Sequence, residues 1–200
     1  LKDDLHIPEI DLMRPRLVCT FSHKSNTLTL TTFVSELASQ LDTIEGILKE
    51  PHIHIPIQTA YVDKAKGSFA FSKEYFFEMV SKSKEMIRSG DVFQILMSNR
   101  FTQYTKIDRL SFYRILRQKN PSPYMFYLSY PEFAIIGSSP EVMVGLKDGH
   151  ILLRPIAGTR KRGSTYEKDQ AYEKEMLSDE KERAEHLMLI DLGRNDLGRV

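Results

Sequence analysis

A single cysteine in 200 residues excludes an internal disulfide framework. Cys19 fits a reducing compartment and reads as a semi-buried small hydrophobe rather than a nucleophile. No apolar run approaches the ~18 residues that a membrane span needs. The charged start, LKDDLHIPEIDLMRPR, lacks the features of a signal peptide. A cytoplasmic protein without a membrane partner is therefore expected. The chain also lacks an excess of either charge: 28 Lys and Arg stand against 27 Asp and Glu. No global field draws it to nucleic acid, and aromatics are not interleaved with cations on one face. A GxxxxGK[ST] loop, a GxGxxG loop and a Ser/His/Asp or Cys/His nucleophile pattern are all missing. There is no internal repeat and no low-complexity segment. The first residue is not Met, and the sequence stops at DLGRV without a helix stop. A piece of a longer protein is the expectation.

What is present is an alternation of short β-rich runs and helical patterns. Residues 17–21 and 27–31 flank HKSN as a hairpin, and 32–50 carries helical spacing through Phe33, Leu37, Leu41, Ile44 and Leu48. A proline-punctuated connector follows, in which His52 and His54 alternate with isoleucines and read as exposed linker residues. Ser72 caps a helix that runs to Arg88 and ends at Gly90. Residues 91–104 alternate like a strand, with Phe93, Ile95 and Met97 on one face and Gln94 on the other. Asp108 caps a helix that stops before NPSP. Strands are expected at 124–129, 133–137, 142–146 and 150–156, the last two joined by a tight KDGH turn. Helices are expected at 166–177 and 179–193, the second with an Asp179/Glu182 capping box. Strands in runs separated by helices define an α+β class with antiparallel sheets.

Four clusters carry chemistry. Glu182, Glu185 and His186 fall on one helical face, where two carboxylates suit a hard cation such as Mg²⁺. Acidic residues in a first turn also serve the helix dipole alone. Zinc fits less well, because one His is present and HExxH is absent. Glu141, in SSPE between two apolar runs, suits a general acid if desolvated and a solvated turn if not. Gln94 is polar on an otherwise apolar strand, and an edge strand explains it as well. In PIAGTRKRG, Gly158 permits close backbone approach, Thr159 adds a hydroxyl and residues 160–162 add charge. Such a loop suits a carboxylate or phosphate, and a solvated basic turn is the plainer reading.

The order of these blocks is more specific than any one of them. DVFQILMSNRF, NPSPYMFYL, IIGSSPEVMV, PIAGTRKRG and DEKERAEHLMLIDLGRNDLGRV together closely resemble the component I family of anthranilate synthases, in the chorismate-utilising superfamily. The resemblance implies antiparallel sheets stacked with helices in a chorismate-binding fold that this chain holds incompletely. Residues 1–66 would belong to an N-terminal domain and connector, and 67–200 to the first part of the catalytic domain. It implies a Mg²⁺-dependent lyase that converts chorismate and ammonia to anthranilate and pyruvate in tryptophan biosynthesis. A glutaminase partner, component II, supplies the ammonia, and tryptophan acts as feedback inhibitor.

Carried over by motif, the resemblance makes Glu185 the Mg²⁺ ligand, with Glu182 a ligand or its supporting partner. Glu141 becomes the acid facing the departing hydroxyl. Ala157, Gly158 and Thr159 form the substrate cradle, with Thr159 also counted among the catalytic groups. Gln94 stands where water-using relatives carry a lysine. Ala157 stands where many aminodeoxychorismate synthases carry a nucleophilic lysine, in PIKGT. Asn120, Pro121, Ser122, Pro123, Tyr124, Met125 and Phe126 resemble the lining of the tryptophan site. In the family a second metal carboxylate, a catalytic His and the groups holding the pyruvyl moiety lie beyond the position of Val200, so the 200 residues alone are expected to be inactive. The competing expectations are an aminodeoxychorismate synthase component I of the folate pathway and a non-catalytic tryptophan-binding or docking module.

Overall fold

The computed structural model describes residues 5–51, 54–63 and 66–200. His52 lies outside the described residues; His54 is exposed. The chain divides into two compact units, Leu1–Ile55 and Pro56–Val200. The division falls inside the proline-punctuated connector rather than at its end near residue 66. Hydrogen bonds give the reason. The Gln58 N–H donates to Ser111 Oγ at 2.9 Å, and Gln103 Nε2 donates to the Asp63 carbonyl at 3.2 Å. The second half of the connector is thus fastened to the second unit.

In the first unit, β1 (Leu17–Ser22) and β2 (Thr27–Thr32) form the expected hairpin, in register from Leu17↔Thr32 to Ser22↔Thr27. Cys19 is exposed, not semi-buried, because a two-stranded ribbon leaves one face open. The helix expected over 32–50 is two helices, α1 (Ser35–Ala38) and α2 (Leu41–Lys49). Between them Gln40 N bonds to the Leu37 carbonyl at 3.0 Å, an i−3 turn, and Ser39 Oγ takes the Glu36 carbonyl at 3.2 Å. A serine that competes for helix carbonyls favours such a break. Leu28 and Leu30 of β2 face Leu41 and Leu48 of α2 across a shallow groove.

The second unit contains β3 (Ser68–Phe69), α3 (Lys73–Ser89), β4 (Phe101–Thr102) and α4 (Arg109–Lys119). These are followed by β5 (Tyr124–Ser129), β6 (Ala134–Ser139), β7 (Gly145–Lys147), β8 (His150–Leu152), α5 (Tyr166–Ser178) and α6 (Glu180–Leu197). The caps sit where the sequence places them. Ser72 Oγ accepts from Tyr75 N at 3.2 Å, and Asp108 Oδ1 from Ser111 N at 2.9 Å. Gly90 closes α3 at φ 82°, a left-handed conformation open to glycine. Asp148 and Gly149, at φ 51° and 76°, make the turn between β7 and β8.

The strand expected over 91–104 shrinks to β4, paired with β3 as Ser68↔Thr102 and Phe69↔Phe101. Ala70 N still reaches the Arg100 carbonyl at 2.8 Å. One step further, the Asn99 side-chain amide replaces the main chain, accepting from Phe71 N and donating to Phe71 O, both at 3.0 Å. The ladder ends there. The remaining alternation survives as packing: Ile95 and Met97 are half-buried, and Ser83 of α3 donates to Met97 Sδ. Phe93, expected on that face, is exposed.

The four sheets among the described residues are all two-stranded and antiparallel, so the α+β class holds. In the β5–β6 hairpin Phe126 lies opposite Gly137, where a β-carbon would meet its ring at 2.1 Å. Tyr113 of α4 packs against Tyr127 at 5.8 Å between ring centroids. Among the described residues no apolar side chain is buried; Ser83 and Ser111 are the buried residues there.

Candidate functional site

Three of the sequence-predicted blocks meet at residues 156–160. The strand expected over 150–156 stops at Leu152, and the backbone beyond it turns to a different partner. The Ile156 N–H donates to Glu141 Oε1 at 3.0 Å. The carboxylate following β6 is thereby tied to the start of the AGT loop. The turn that presents it is held by Ser139 Oγ, which bonds to Glu141 N at 3.4 Å and O at 3.3 Å. Gly158 follows at φ 73°. The Glu182 carboxylate lies so close that a β-carbon on Gly158 would be 2.8 Å from Oε2. Glycine is required there twice, by conformation and by space.

Arg160 anchors this loop. Its Nε donates to Glu175 Oε1 (3.1 Å), its Nη2 to Asp179 Oδ2 (3.1 Å) and its Nη1 to Glu182 Oε1 (3.0 Å). The same Nη1 reaches the Thr159 carbonyl at 3.1 Å. The carboxylates of Glu182 and then Glu175 push the guanidinium pKa up. Arg162 pairs with Asp169 at 2.6 Å, and Asp169 also accepts from Gly163 N at 2.7 Å. Two of the three loop cations are therefore taken by the chain's own carboxylates, and the simple picture of a charge collector for an external anion is corrected. Sequence analysis missed this network. Its signal was present: Glu175, Asp179 and Glu182 recur at four- and three-residue spacing beside a cationic loop.

Asp179 joins α5 to α6. Its N–H closes α5 on the Glu175 and Met176 carbonyls, while Oδ1 accepts from Lys181 N and Glu182 N at 3.0 and 3.2 Å. The Glu182 N–H is the leading cause that holds the Asp179 carboxyl below its usual range. The expected capping box is half formed. Asp179 caps α6, but Glu182 does not reach back, because the Asp179 N–H is already satisfied and Arg160 claims the Glu182 carboxylate.

Glu185 sits one turn along α6, half-buried, its carboxylate hydrogen-bonded to no other described residue. No group of three or more His, Cys, Asp or Glu among the described residues is gathered to hold a metal. The donor set fits one free carboxylate, Glu185, with an arginine-paired neighbour, Glu182. Mg²⁺ takes one or two protein carboxylates and fills its shell with water and substrate, so this set fits part of such a shell. Beside it, an open cleft of about 300 Å³ is lined by Ala157, Met176, Leu177, Glu182 and His186.

The other predicted residues lie apart from this cluster or touch it indirectly. Gln94 is exposed on the non-strand segment before β4. Asn120, Pro121, Ser122 and Pro123 lead into β5, which holds Tyr124, Met125 and Phe126. Ser138 Oγ donates to the Asn120 carbonyl at 2.7 Å, joining this segment to β6, the strand that leads to Glu141. The Ser122 hydroxyl is buried and meets no hydrogen-bond partner among the described residues.

The fold is thus a set of antiparallel hairpins and helices that brings an acid, a glycine loop and a carboxylate-bearing helix together. The chain belongs to the chorismate binding enzyme family, whose model matches residues 1–200. It is 40% identical to anthranilate synthase component 1 of Cereibacter sphaeroides over 210 residues, covering 99% of this chain and 42% of that protein. It is 43% identical to aminodeoxychorismate synthase component 1 of Bacillus subtilis over 206 residues, covering 99% of this chain and 43% of that protein. The crystal structure of anthranilate synthase component I from Streptococcus pneumoniae TIGR4 superposes with a TM-score of 0.75 at 33% identity, over 91% of this chain and 41% of that one. The chain spans about two fifths of the length of these relatives. No helix among the described residues is long and apolar enough to cross a membrane.

Proposed function

We propose that the protein acts as an anthranilate synthase component I, aminating chorismate and releasing pyruvate, with ammonia from a glutaminase partner and tryptophan as inhibitor, in the cytoplasm. The observation that carries the reading is the bond from Ile156 N–H to Glu141, which fixes a candidate acid against the loop of Ala157, Gly158 and Thr159. Gly158 and Thr159 offer donors to the ring carboxylate of chorismate. Mg²⁺ held by Glu185 would neutralise that carboxylate when bound. Glu141 has one oxygen held by Ile156, leaving the other to carry a proton to the departing ring hydroxyl, which leaves as water. Ammonia needs no general base to attack the ring, which makes a neutral Gln94 tolerable where a water-using relative has lysine. Loss of the proton at the attacked carbon then aromatises the ring as pyruvate departs.

The Bacillus subtilis relative favours a second reading, aminodeoxychorismate synthase. Ala157 stands against it, since many such enzymes carry a lysine there by the resemblance described above. The natural full-length protein, given chorismate, Mg²⁺ and ammonium, is expected to yield fluorescent anthranilate. Accumulation of 4-amino-4-deoxychorismate instead establishes the second reading, and unconsumed chorismate overturns both.

A further inference from the structure

We infer that Arg160 is a positioning residue that sets the Gly158–Thr159 loop against α6, an assignment resting on the reading of this loop as the substrate cradle. Four contacts support it. The guanidinium spans the end of α5 (Glu175), the helix junction (Asp179), the first turn of α6 (Glu182) and its own loop (Thr159 carbonyl), each at 3.0–3.1 Å. The side chain is 23% exposed, whereas Arg162, paired once, is 91% exposed. A planar fork can satisfy several carboxylates in fixed directions; a lysine ammonium on a flexible stem cannot. Glu182 is the matching half of the device. One oxygen takes Arg160 and the other lies against Gly158, so the carboxylate sets the distance between loop and helix. Glu185 follows three residues later on the same helix, so whatever fixes Glu182 also fixes where Glu185 stands relative to the loop.

The geometry makes loop position and α6 position one quantity, controlled by a single side chain. Arg160 touches neither reacting atoms nor metal in this assignment. Its loss lets the cradle drift while each cradle residue remains present. Displacement of a binding group by ~1 Å costs on the order of 100-fold in turnover.

The test uses R160Q, R160K, E182Q and the double variant R160Q/E182Q in the natural full-length protein. For each, chorismate kcat and KM are measured on the folded fraction, with amide hydrogen exchange of residues 156–163. R160Q is expected to lose about 100-fold in kcat with KM changed less than about fivefold. R160K should recover no more than about tenfold of that loss. The double variant should be no worse than about threefold below the poorer single, because the two residues act as one unit. Exchange at 156–159 should accelerate in R160Q. A lowered Tm with unchanged kcat and unchanged loop exchange overturns the assignment, as do strictly additive losses. If the unmutated protein leaves chorismate untouched, the reading of the reaction fails; the exchange data then decide alone whether Arg160 holds the loop.

Discussion

Gly158 and Glu182 approach so closely that the Glu182 carboxylate takes the place a side chain on Gly158 would need, with Oε2 2.8 Å from an ideal β-carbon. The contact joins two motifs 24 positions apart in the chain. Gly158→Ala should therefore hurt twice. The left-handed φ of 73° costs a non-glycine residue roughly 1–2 kcal/mol, and the new methyl must push Glu182 away from Arg160. We expect a lower urea midpoint and at least a tenfold fall in kcat/KM for chorismate in the full-length protein. A variant with wild-type stability and turnover would show that the loop tolerates another conformation.

Glu141→Gln separates the two duties of that side chain. The amide oxygen can still accept the Ile156 N–H, so the loop should keep its place. The amide cannot donate the proton that the departing hydroxyl needs. The expected result is unchanged chorismate binding with kcat lower by ~10²–10⁴. A raised KM at constant kcat would make Glu141 a binding residue instead.

Glu185→Gln addresses the metal. A neutral amide is a poor ligand for a hard cation and cannot offset its charge. Since the Glu185 carboxylate hydrogen-bonds to no other described residue, its replacement should leave the fold intact. Circular dichroism should match the parent while Mg²⁺-dependent turnover disappears. Undiminished activity with the same Mg²⁺ dependence removes Glu185 from the metal site.

How far the sequence carried these conclusions depended on the range of the interactions involved. The Ser72 and Asp108 caps, the Gly90 stop and the Asp148–Gly149 turn were all legible, because each is decided by neighbours within a few residues. The 91–104 strand was not. Alternation reports which face packs, and Ile95 and Met97 do pack, but a strand also needs a partner, and here Asn99 ends the ladder with a side-chain amide. The helix break at Ser39 depended on whether a serine would compete for a carbonyl, which spacing of apolar residues does not encode. At the site, residue types were legible but their pairing was not. The cations of the PIAGTRKRG loop read as a trap for an outside anion, and Arg160 instead serves three carboxylates, two of them beyond the end of α5. Their positions follow from how two helices meet at Asp179, a tertiary outcome.

That junction has a pH signature. The Asp179 carboxyl sits below its usual range, chiefly because the Glu182 N–H donates to its charged form, with further lowering from the Lys181 N–H and the Arg160 charge, while partial burial opposes them. A carboxyl depressed on folding stabilises the native state above its unfolded pKa, and that contribution is lost as pH falls through the folded value. The window therefore opens below about pH 4, near the value of a free aspartate, and extends downward. Asp179→Asn isolates the charge, since asparagine is itself a good N-cap and its amide oxygen can accept from Lys181 N and Glu182 N. At neutral pH the parent should be the more stable of the two by denaturant midpoint. The difference should shrink steadily as the pH is lowered below about 4, because protonation then gives the parent the same neutral cap. A gap that persists unchanged to the lowest pH would mean that asparagine disturbs the geometry of the junction, and that the carboxylate charge contributes nothing of its own.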